Sequence, residues 1–354
     1  MPTLAIIIVS WNTRDLLRRA IESVRASLAG AGIDYRVVVV DNASSDGTPA
    51  MLRAEYPAVE LIESGGNLGF AGGNNLALRR VLGADFSGLN SETRPNSTLD
   101  NQHMPLDYVL LLNPDTETAG DAIVRLVRYL EQHPDVAVVG PRLRYPDGSV
   151  QPSRRRFPSR GVFFWESTPL ERWWPNNPWA RRYRCADTPD DAEQPVDWLV
   201  GAALLVRRSA IERAGLLDAG FLMYSEELEW QRRIQGMAGG ERGVAPGDQL
   251  YSRQRPTPNL HPPKIMYLPE AVIVHHEGKS SEQAPARRYI NFQRSRIRYA
   301  RMVYGARFAA LLRLFLRMAY AAELASEAAK WLLGHRRALR AQRIGVYLQV
   351  LRAL

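Results

Sequence analysis

Acidic residues stand directly after two apolar runs of the sequence, at the points where buried strands would end. The segment VVVVDNASSDGT delivers Asp41 and Asp46, and the segment LLLNPDTE delivers Asn113 and Asp115. Oxygen ligands clustered at a strand end suit a hard cation such as Mg²⁺ or Mn²⁺. NPD is also a good turn sequence, so a plain turn stays open as the alternative at Asp115.

A further acidic segment, GFLMYSEELEW, places Glu226, Glu227 and Glu229 beside aromatic and apolar residues. Apolar surroundings raise the pKa of a carboxyl group, and a raised pKa suits a general base. The alternative is the acidic first turn of a helix, which the helix dipole favours.

Two adjacent histidines, His275 and His276, follow a β-branched run in the segment VIVHHEGKSS. The whole chain has 6 histidines, so two at one strand end attract notice. A neutral imidazole at this position would complete a metal site begun by Asp115. A structural pair of histidines is the alternative interpretation.

The segment GGNLGFAGGNN contains Asn67 and Asn74 among its glycines. It lacks the G-x-G-x-x-G spacing of dinucleotide-binding loops. Backbone amides and asparagine side chains near a helix start can hold anionic or polyhydroxyl groups. A loop without a ligand is the alternative here.

The elements that must position these residues alternate between strand and helix, which predicts an α/β fold with a mostly parallel sheet and helices on both faces. In such sheets ligands bind at the carboxyl ends of the strands. Ser44 or Ser45 is expected to cap the second helix, with Asp46 in its first turn. The predicted strands are Leu4–Val9, Tyr35–Val40, Val59–Ile62 and Tyr108–Leu112, and the predicted helices are Arg14–Leu28, Ser45–Glu55, Gly72–Val81 and Asp121–Gln132. Two polar stretches, Gly83–Pro105 and Gly236–Pro263, are predicted to be surface insertions or lids.

Composition indicates a protein made and kept in the cytosol. The single cysteine, Cys185, excludes an internal disulfide framework and fits a reducing compartment. The N-terminus has no basic region typical of a signal peptide, and no apolar run reaches the ~18 residues that a membrane span needs. The net charge of +9 is uneven, because residues 281–354 carry 15 Arg and Lys against 3 Asp and Glu, a net of +12, which leaves −3 for residues 1–280. The partner of the basic tail is therefore expected to be anionic.

The order of the motifs along the chain resembles that of the family-two glycosyltransferases, and it is most similar to their rhamnosyltransferase-like branch, which decorates bacterial cell-surface polysaccharides. The motifs, in order, are SWN, VDNASSDGT, NLGFAGGNN, LLLNPD, VGAALLVRR, FLMYSEELEW and VHHEGKSS, and the resemblance covers residues 3 to about 300. The resemblance implies a GT-A fold over residues 1–285, with a nucleotide-binding half of about 1–118 and an acceptor half of about 119–285. Residues 286–354 form a basic amphipathic tail in this interpretation.

The same resemblance implies a role for each motif. Asp41 falls where such proteins hold the imide N–H of uracil or thymine, Asp115 matches the carboxylate on the divalent metal, and Glu227 matches the catalytic base. His275 matches a histidine near the leaving diphosphate and is expected to help bind the metal. The remaining residues expected to bind the nucleotide are Ser10, Asn12, Asn67 and Asn74.

Two residues depart from the family pattern. Asn113 stands where the metal motif begins with Asp, and Glu227 stands where the base is usually Asp. Glu226 lies beside it, so the choice of base between Glu226 and Glu227 stays open. No Q-x-x-R-W sequence follows Glu227, which favours single-sugar addition over polymer synthesis.

The expected function is an inverting, metal-dependent transfer of one sugar, with rhamnose a candidate, from a dTDP- or UDP-linked donor to a cell-surface glycan or a lipid-linked acceptor. The expected cofactor is a divalent cation, Mg²⁺ or Mn²⁺. The alternatives are a sugar-nucleotide-binding module without catalysis and a nucleotidyltransferase.

The tail from Arg288 to Tyr320 has helical spacing with arginines throughout. Arg313 and Arg317 lie one turn apart on one face, and an apolar face contains Phe308, Leu311, Leu312 and Phe315. Such a helix settles at an anionic membrane surface, here the inner face of the plasma membrane. The alternative is a basic helix packed on the catalytic domain. No recognition motif supports binding of nucleic acid.

Overall fold

A computed structural model describes residues 1–83, 106–166, 168–237, 262–278 and 285–354 of the chain. The two predicted polar insertions, Gly83–Pro105 and Gly236–Pro263, lie almost wholly outside the described residues.

Strands and helices alternate through the first part of the described chain, as the sequence predicts. The strands are β1 (Thr3–Ser10), β2 (Asp34–Asp41), β3 (Glu60–Glu63), β4 (Tyr108–Leu112), β5 (Thr116–Thr118), β6 (Val136–Arg144), β7 (Arg154–Arg155), β8 (Gln194–Pro195), β9 (Trp198–Leu199), β10 (Ala203–Arg207) and β11 (Lys264–His275). The helices are α1 (Arg14–Leu28), α2 (Thr48–Glu55), α3 (Gly69–Leu82), α4 (Ala122–Gln132), α5 (Arg160–Trp165), α6 (Pro169–Trp173), α7 (Pro178–Tyr183), α8 (Arg208–Ala214), α9 (Glu226–Ile234), α10 (Pro285–Leu332) and α11 (Arg337–Ala353).

One sheet of nine strands forms the centre of the described structure, in the order β3-β2-β1-β4-β10-β6-β11-β5, with β8 paired to β11. Strands β1 to β4 are parallel, and β11 is parallel to β6. Strand β10 runs antiparallel to both β4 and β6, and β5 and β8 run antiparallel to β11. Six of the nine strands therefore point the same way, which confirms the prediction of a mostly parallel sheet.

The sheet is covered on both faces because its strands are apolar at nearly every position. In β1 the side chains of Ile6 and Ile8 enter one core cluster with α1, and those of Ala5 and Ile7 enter another with α3. Successive side chains of a strand point to opposite faces, so a continuous apolar run requires a helix layer on each face. The predicted two-sided layering is confirmed.

The start of α2 differs from the prediction. The helix begins at Thr48, and its N-cap position is Gly47 with φ of 85°, so neither Ser44 nor Ser45 caps it. Asp46 lies before the helix, where its Oδ1 accepts hydrogen bonds from the backbone N–H of Thr48 at 3.1 Å and the hydroxyl of Thr48 at 2.6 Å. A left-handed glycine suits this position, since it turns the chain into the helix without steric cost.

The C-terminal helices pack on the body of the protein. Helix α10 has a break at Gly305, where φ is 85°, and beyond it Leu312 and Leu316 are buried in a core cluster shared with α5 and α11. The side chains of Phe308 and Phe315 pack partly against the same cluster. Most of the apolar face predicted to meet a membrane therefore meets protein, and of its residues Leu311 is the one that is exposed, at 55%.

A buried carboxylate joins α10 to α11. Glu327 on α10 pairs with Arg340 on α11 at 2.7 Å and with Lys330 at 3.2 Å, and the guanidinium of Arg343 lies 3.7 Å away. Within the described residues, no helix is both long and apolar enough to cross a membrane.

Replacing Leu312 by Ala tests the packing of α10. We expect the free energy of unfolding to fall by about 2–5 kcal/mol, because a buried leucine leaves a cavity. The exposed neighbour Leu311 is the matched control, and Leu311→Ala should cost less than about 0.5 kcal/mol. Denaturant titration measures both values. Equal, small losses would contradict a packed helix.

Candidate active site

The sheet register brings several sequence-predicted residues to one edge. Ser10 at the end of β1 pairs with Asp41 at the end of β2. Strand β4 ends two residues earlier on the other side of β1, where Leu112 pairs with Ile8, and the backbone N–H of Asn113 donates to the carbonyl of Ala202 at 2.9 Å. The strand ends that carry Asp41 and Asp115 therefore meet at the carboxyl edge of the sheet.

Asp41 is buried, with 2% of its surface exposed. Its Oδ2 accepts a hydrogen bond from the backbone N–H of Ser44 at 3.0 Å, and its Oδ1 has no partner among the described residues. A buried acceptor without a partner costs free energy, so such an atom is poised to accept a hydrogen bond from a ligand.

The other predicted nucleotide-binding residues hold the loops around Asp41. The Ser10 and Thr13 hydroxyls lie 2.9 Å apart, and Asn12 Oδ1 accepts from the backbone N–H of Ser45 at 2.8 Å. Asn67 Oδ1 accepts from the backbone N–H of Gly69 at 3.0 Å. Asn74 is buried within α3 and donates to the carbonyl of Phe70 at 2.9 Å. These four side chains are thus held by the protein's own hydrogen bonds.

Asp115 and His275, the predicted metal-binding residues, lie together. His275 Nε2 is 3.3 Å from Asp115 Oδ1 and 3.3 Å from Asn113 Nδ2. Both Asp115 and His275 are buried. The structure thus brings together residues that are 160 positions apart in the sequence.

Two residues that sequence analysis missed orient His275. Gln151 Nε2 donates to Glu277 at 2.8 Å, which turns Gln151 Oε1 toward His275 Nδ1 at 2.9 Å. Since Oε1 accepts, Nδ1 carries the proton, and the Nε2 of a neutral imidazole presents its lone pair beside Asp115. Tyr145 extends this series of hydrogen bonds, and burial together with its hydrogen bond to Glu277 raises the pKa of its hydroxyl.

His276, by contrast, turns away. Its Nε2 contacts Glu117 at 2.7 Å, and Glu117 also pairs with Arg19 at 3.3 Å. Of the two adjacent histidines, His275 therefore belongs to the site and His276 to an ion-paired cluster outside it. In the described ranges, no group of three or more His, Cys, Asp or Glu side chains has the geometry of a complete metal cage.

The two glutamates at the start of α9 differ in environment. Glu226 is 3% exposed, and burial together with the charge of Glu227 raises its pKa well above the usual range. Burial also raises the pKa of Glu227, but backbone hydrogen bonds involving Gly201 and Leu228 and the charge of Arg155 oppose the increase. Glu227 is also less buried than Glu226. Burial thus favours the protonated form of both carboxyl groups, and that of Glu226 more strongly.

Glu229, the third acid of the segment, is structural. Its carboxylate forms a two-pronged ion pair with Arg233 one turn later, at 2.6 and 2.8 Å. Arg233 in turn donates to the carbonyl of Leu216, so this pair fastens α9 to the preceding loop.

Close backbone contact brings Glu227 to the nucleotide half. Gly69 has φ of 71°, and a side chain there would collide with the carbonyl of Leu222, which also accepts from the backbone N–H of Phe70 at 3.0 Å. A Cβ on Gly201 would lie 3.4 Å from Glu227 and 3.5 Å from the Phe70 ring. Glu227 thus stands beside the turn that joins β9 to β10, close to the strand ends.

A groove of about 860 Å³ opens beside α5 and α7. Its lining includes Arg156, Phe157, Trp179, Arg182 and Tyr183. Because the Arg155 guanidinium stands 5.7 Å from the Tyr183 ring centroid and also acts on the Glu227 carboxyl, the groove borders the Glu227 side of the site.

Comparison with known proteins identifies relatives of this chain. Residues 5–91 match the model of glycosyl transferase family 2. The chain is 32% identical over 252 residues to the N-acetylglucosaminyl-diphospho-decaprenol L-rhamnosyltransferase of Mycobacterium tuberculosis, covering 71% of this chain and 69% of the relative. It is 27% identical over 230 residues to the rhamnosyltransferase WbbL of Escherichia coli, covering 65% and 75%.

Among solved structures, the chain is similar to the mannosyltransferase PcManGT from Pyrobaculum calidifontis in complex with GDP-Man and Mn²⁺. The TM-score is 0.51 at 18% identity, covering 100% of this chain and 86% of that one. At this identity the likeness concerns the fold, which is that of the GT-A glycosyltransferases.

Replacing Glu226 by Gln should stabilise the protein at neutral pH. With its pKa raised in the folded state, Glu226 binds a proton that the unfolded chain releases, so stability falls as pH rises above the ordinary carboxyl range toward the folded pKa. Gln removes this loss. Thermal unfolding between about pH 5 and 8 measures it. The matched control Glu229→Gln should destabilise instead, since it breaks the pair with Arg233. A pH-independent difference for Glu226→Gln would contradict the raised pKa.

Proposed function

The chain belongs to glycosyl transferase family 2, and from that premise we propose that it transfers one sugar, with inversion and with a divalent cation, from a nucleoside-diphosphate sugar to an acceptor hydroxyl. The chain is an enzyme, a glycosyltransferase. The observation that carries the proposal is the meeting, around one sheet edge, of the unpartnered Asp41 oxygen, the Asp115–His275 pair and Glu227.

We propose that Asp41 binds the base of the donor nucleotide. Its free, buried Oδ1 is an acceptor, and uracil and thymine both present an imide N–H donor. A dTDP- or UDP-linked sugar is therefore the proposed donor. Rhamnose is the proposed sugar, since two relatives are named as rhamnosyltransferases.

The residues at Asp115 fit a divalent cation, Mg²⁺ or Mn²⁺. Asp115 Oδ1 lies 3.3 Å from His275 Nε2, so a carboxylate oxygen and an imidazole nitrogen, both common ligands of divalent cations, are adjacent. Asp115 and His275 would hold the ion, with the donor phosphates as further ligands. When bound, the cation offsets the charge that develops on the leaving diphosphate. Mn²⁺ is present in the mannosyltransferase complex of the same fold.

Glu227 is the proposed base. It takes the proton from an acceptor hydroxyl as that oxygen forms a bond to the anomeric carbon. The bond to the diphosphate oxygen breaks on the opposite side, and the electron pair leaves with the nucleoside diphosphate. One displacement inverts the configuration, so no carboxylate nucleophile is needed. Glu226 keeps its proton and lowers the negative charge beside the base.

Asn113 and Glu227 depart from the family pattern, so two other functions also have to be tested. A sugar-nucleotide-binding module would bind the donor without turnover. A nucleotidyltransferase would release pyrophosphate rather than a nucleoside diphosphate. Product analysis with candidate sugar nucleotides distinguishes all three.

The proposed acceptor is a cell-surface glycan or a lipid-linked saccharide, as the name of the mycobacterial relative indicates for that enzyme. We further propose that the protein is cytoplasmic and binds peripherally to the inner face of the plasma membrane. The exposed side of α10 supports this, since Leu311, Leu314 and Met318 lie there with Arg307 and Arg317. This face replaces the one predicted from the sequence.

Asp115→Asn should abolish turnover and weaken metal binding in the presence of a nucleoside diphosphate, because it removes the carboxylate at the His275 Nε2. Calorimetric titration with Mn²⁺ measures binding independently of turnover. Asp121→Asn, which alters an exposed acid paired with Arg125, is the control and should change neither. Full activity in Asp115→Asn would remove the metal assignment.

Glu227→Gln should keep donor affinity and reduce kcat by roughly a hundredfold or more, the size expected for a lost general base. Glu226→Gln should retain most activity, since the residue is already protonated. Steady-state kinetics and donor binding check both variants. The reverse pattern would place the base at Glu226.

Charge removal on α10 tests the membrane proposal. The double variant Arg307→Gln with Arg317→Gln should bind anionic vesicles up to about thirtyfold more weakly at low salt, at about 1 kcal/mol per basic residue. The same change at Arg79 and Arg128, on α3 and α4, is the matched control and should matter little. Vesicle sedimentation measures binding. Full-length protein that does not sediment at low salt refutes the proposal.

A further inference from the structure

Four tryptophans lie within fifteen residues on the short helices α5 to α7, outside the proposed catalytic site. Trp173 is 86% exposed, and Trp174 and Trp179 are each 48% exposed. Three of the indoles contact one another, since ring centroids lie 5.8 Å apart for Trp165 and Trp174, 5.9 Å for Trp165 and Trp179, and 6.1 Å for Trp174 and Trp179. Exposed aromatic clusters of this kind mark contact surfaces.

The cluster is fixed in place rather than loosely attached. Trp165 Nε1 donates to the carbonyl of Trp174 at 3.0 Å, and Asn177 caps α7 through the backbone N–H of Ala180 at 2.8 Å. Phe164, the residue before Trp165, packs edge-on against Phe308 and Phe315 of α10, with ring centroids 5.6 and 5.2 Å apart. The tryptophans therefore have a set position beside the tail helix.

The charge around the cluster is positive. Arg181 and Arg182 on α7 are exposed, and neither forms an ion pair among the described contacts. The exposed Arg160 adds a further positive charge, since its guanidinium lies 5.9 Å from the centroid of the Phe308 ring, which packs against Phe164. Indole rings with arginines beside them match the interface of an anionic bilayer, where tryptophan is enriched and basic groups meet lipid phosphates.

We propose that Trp173, Trp174 and Trp179 form a docking patch that inserts into the headgroup region of an anionic phospholipid bilayer. The patch belongs to the acceptor half and acts separately from the tail's net charge. Its contribution is the burial of indole surface, which salt does not screen, whereas the arginine contribution is screened.

The position of the patch suits a lipid-anchored acceptor, a point that rests on the proposed function. Trp179 belongs to the patch and also lines the groove that contains Arg156, Arg182 and Tyr183. A saccharide carried on a lipid diphosphate at the bilayer surface would enter this groove from the patch. The groove also contains Asp187 and Asp197, and Asp197 pairs with Arg156 at 3.6 Å, so the diphosphate would meet Arg182. The acceptor hydroxyl would lie toward Glu227.

A fluorescent label can be attached at one chosen position, because the single cysteine of the chain, Cys185, is buried. Asn176→Cys places one exposed thiol in the turn between α6 and α7 and leaves every tryptophan intact. Gln132→Cys, at the exposed end of α4, is the matched control. Each is labelled with an environment-sensitive fluorophore and mixed with phosphatidylglycerol-containing vesicles at about 1 M salt, where the Debye length is about 3 Å.

We expect the label at position 176, but not that at position 132, to shift its emission to the blue and to resist an aqueous quencher. Adding Trp173→Ala should weaken vesicle binding at high salt roughly tenfold, and Trp173→Phe should restore most of it. A vesicle-bound protein whose label at 176 stays unchanged overturns the proposal. A shift without vesicles that grows with protein concentration also overturns it, because it points to self-association.

Turnover with a water-soluble acceptor is measured in parallel, so that the two proposals fail separately. Label insertion without any donor turnover leaves the patch standing and refutes the proposed function. Turnover without label insertion refutes the patch and leaves the proposed function standing.

Discussion

The antiparallel pairing of β10 with β4 is the contact on which the rest of the site depends. It joins the four parallel strands β1 to β4 to the strands β6 and β11. The same pairing places Ala202 against Asn113, and Gly201 beside Glu227. Because the pairing is central and buried, a slip of one residue would turn the apolar side chains of β10 to the wrong face. The distance between Glu227 and the Asp115–His275 pair is therefore set by the register of the core.

Glu227, which lies beside the turn between β9 and β10, and its neighbour Glu226 differ in their electrostatic environment. Adjacent carboxylates in a buried place cannot both ionise at low cost, so one of them takes up the proton. Among the described residues, neither Glu226 nor Glu227 has a partner at its Oε2, but Glu226 is the more enclosed, and the charge on Glu227 further raises its pKa. The backbone hydrogen bonds near Gly201 favour the ionised form of Glu227. The fold thus gives different environments to two acids that are adjacent in the sequence.

Local sequence patterns predicted what depends on local structure. Apolar runs followed by Asp41, Asp115 and His275 were sufficient to predict the strand ends, because parallel strands share one carboxyl edge. Gln151 and Glu277 could not be found in this way, since the hydrogen bond that orients His275 spans 124 residues. The exposed face of the tail helix could not be predicted for a different reason. Helical spacing identifies an apolar stripe but not the surface that covers it, and the adjacent Leu311 and Leu312 lie in opposite environments.

The ion-paired carboxylate between the last two helices has a consequence for how the tail carries its charge. Glu327 acts as an internal counter-ion in a segment of net charge +12, and three cations gather around it. Burial alone would raise its pKa, but hydrogen bonds from Arg340 and Lys330 outweigh burial and lower it. The stabilisation is thus present above the ordinary carboxyl range and is lost only as the pH falls through the lowered pKa. Near neutral pH the ion pairs between α10 and α11 therefore persist, and the tail is a permanent cationic surface rather than an acid-triggered switch.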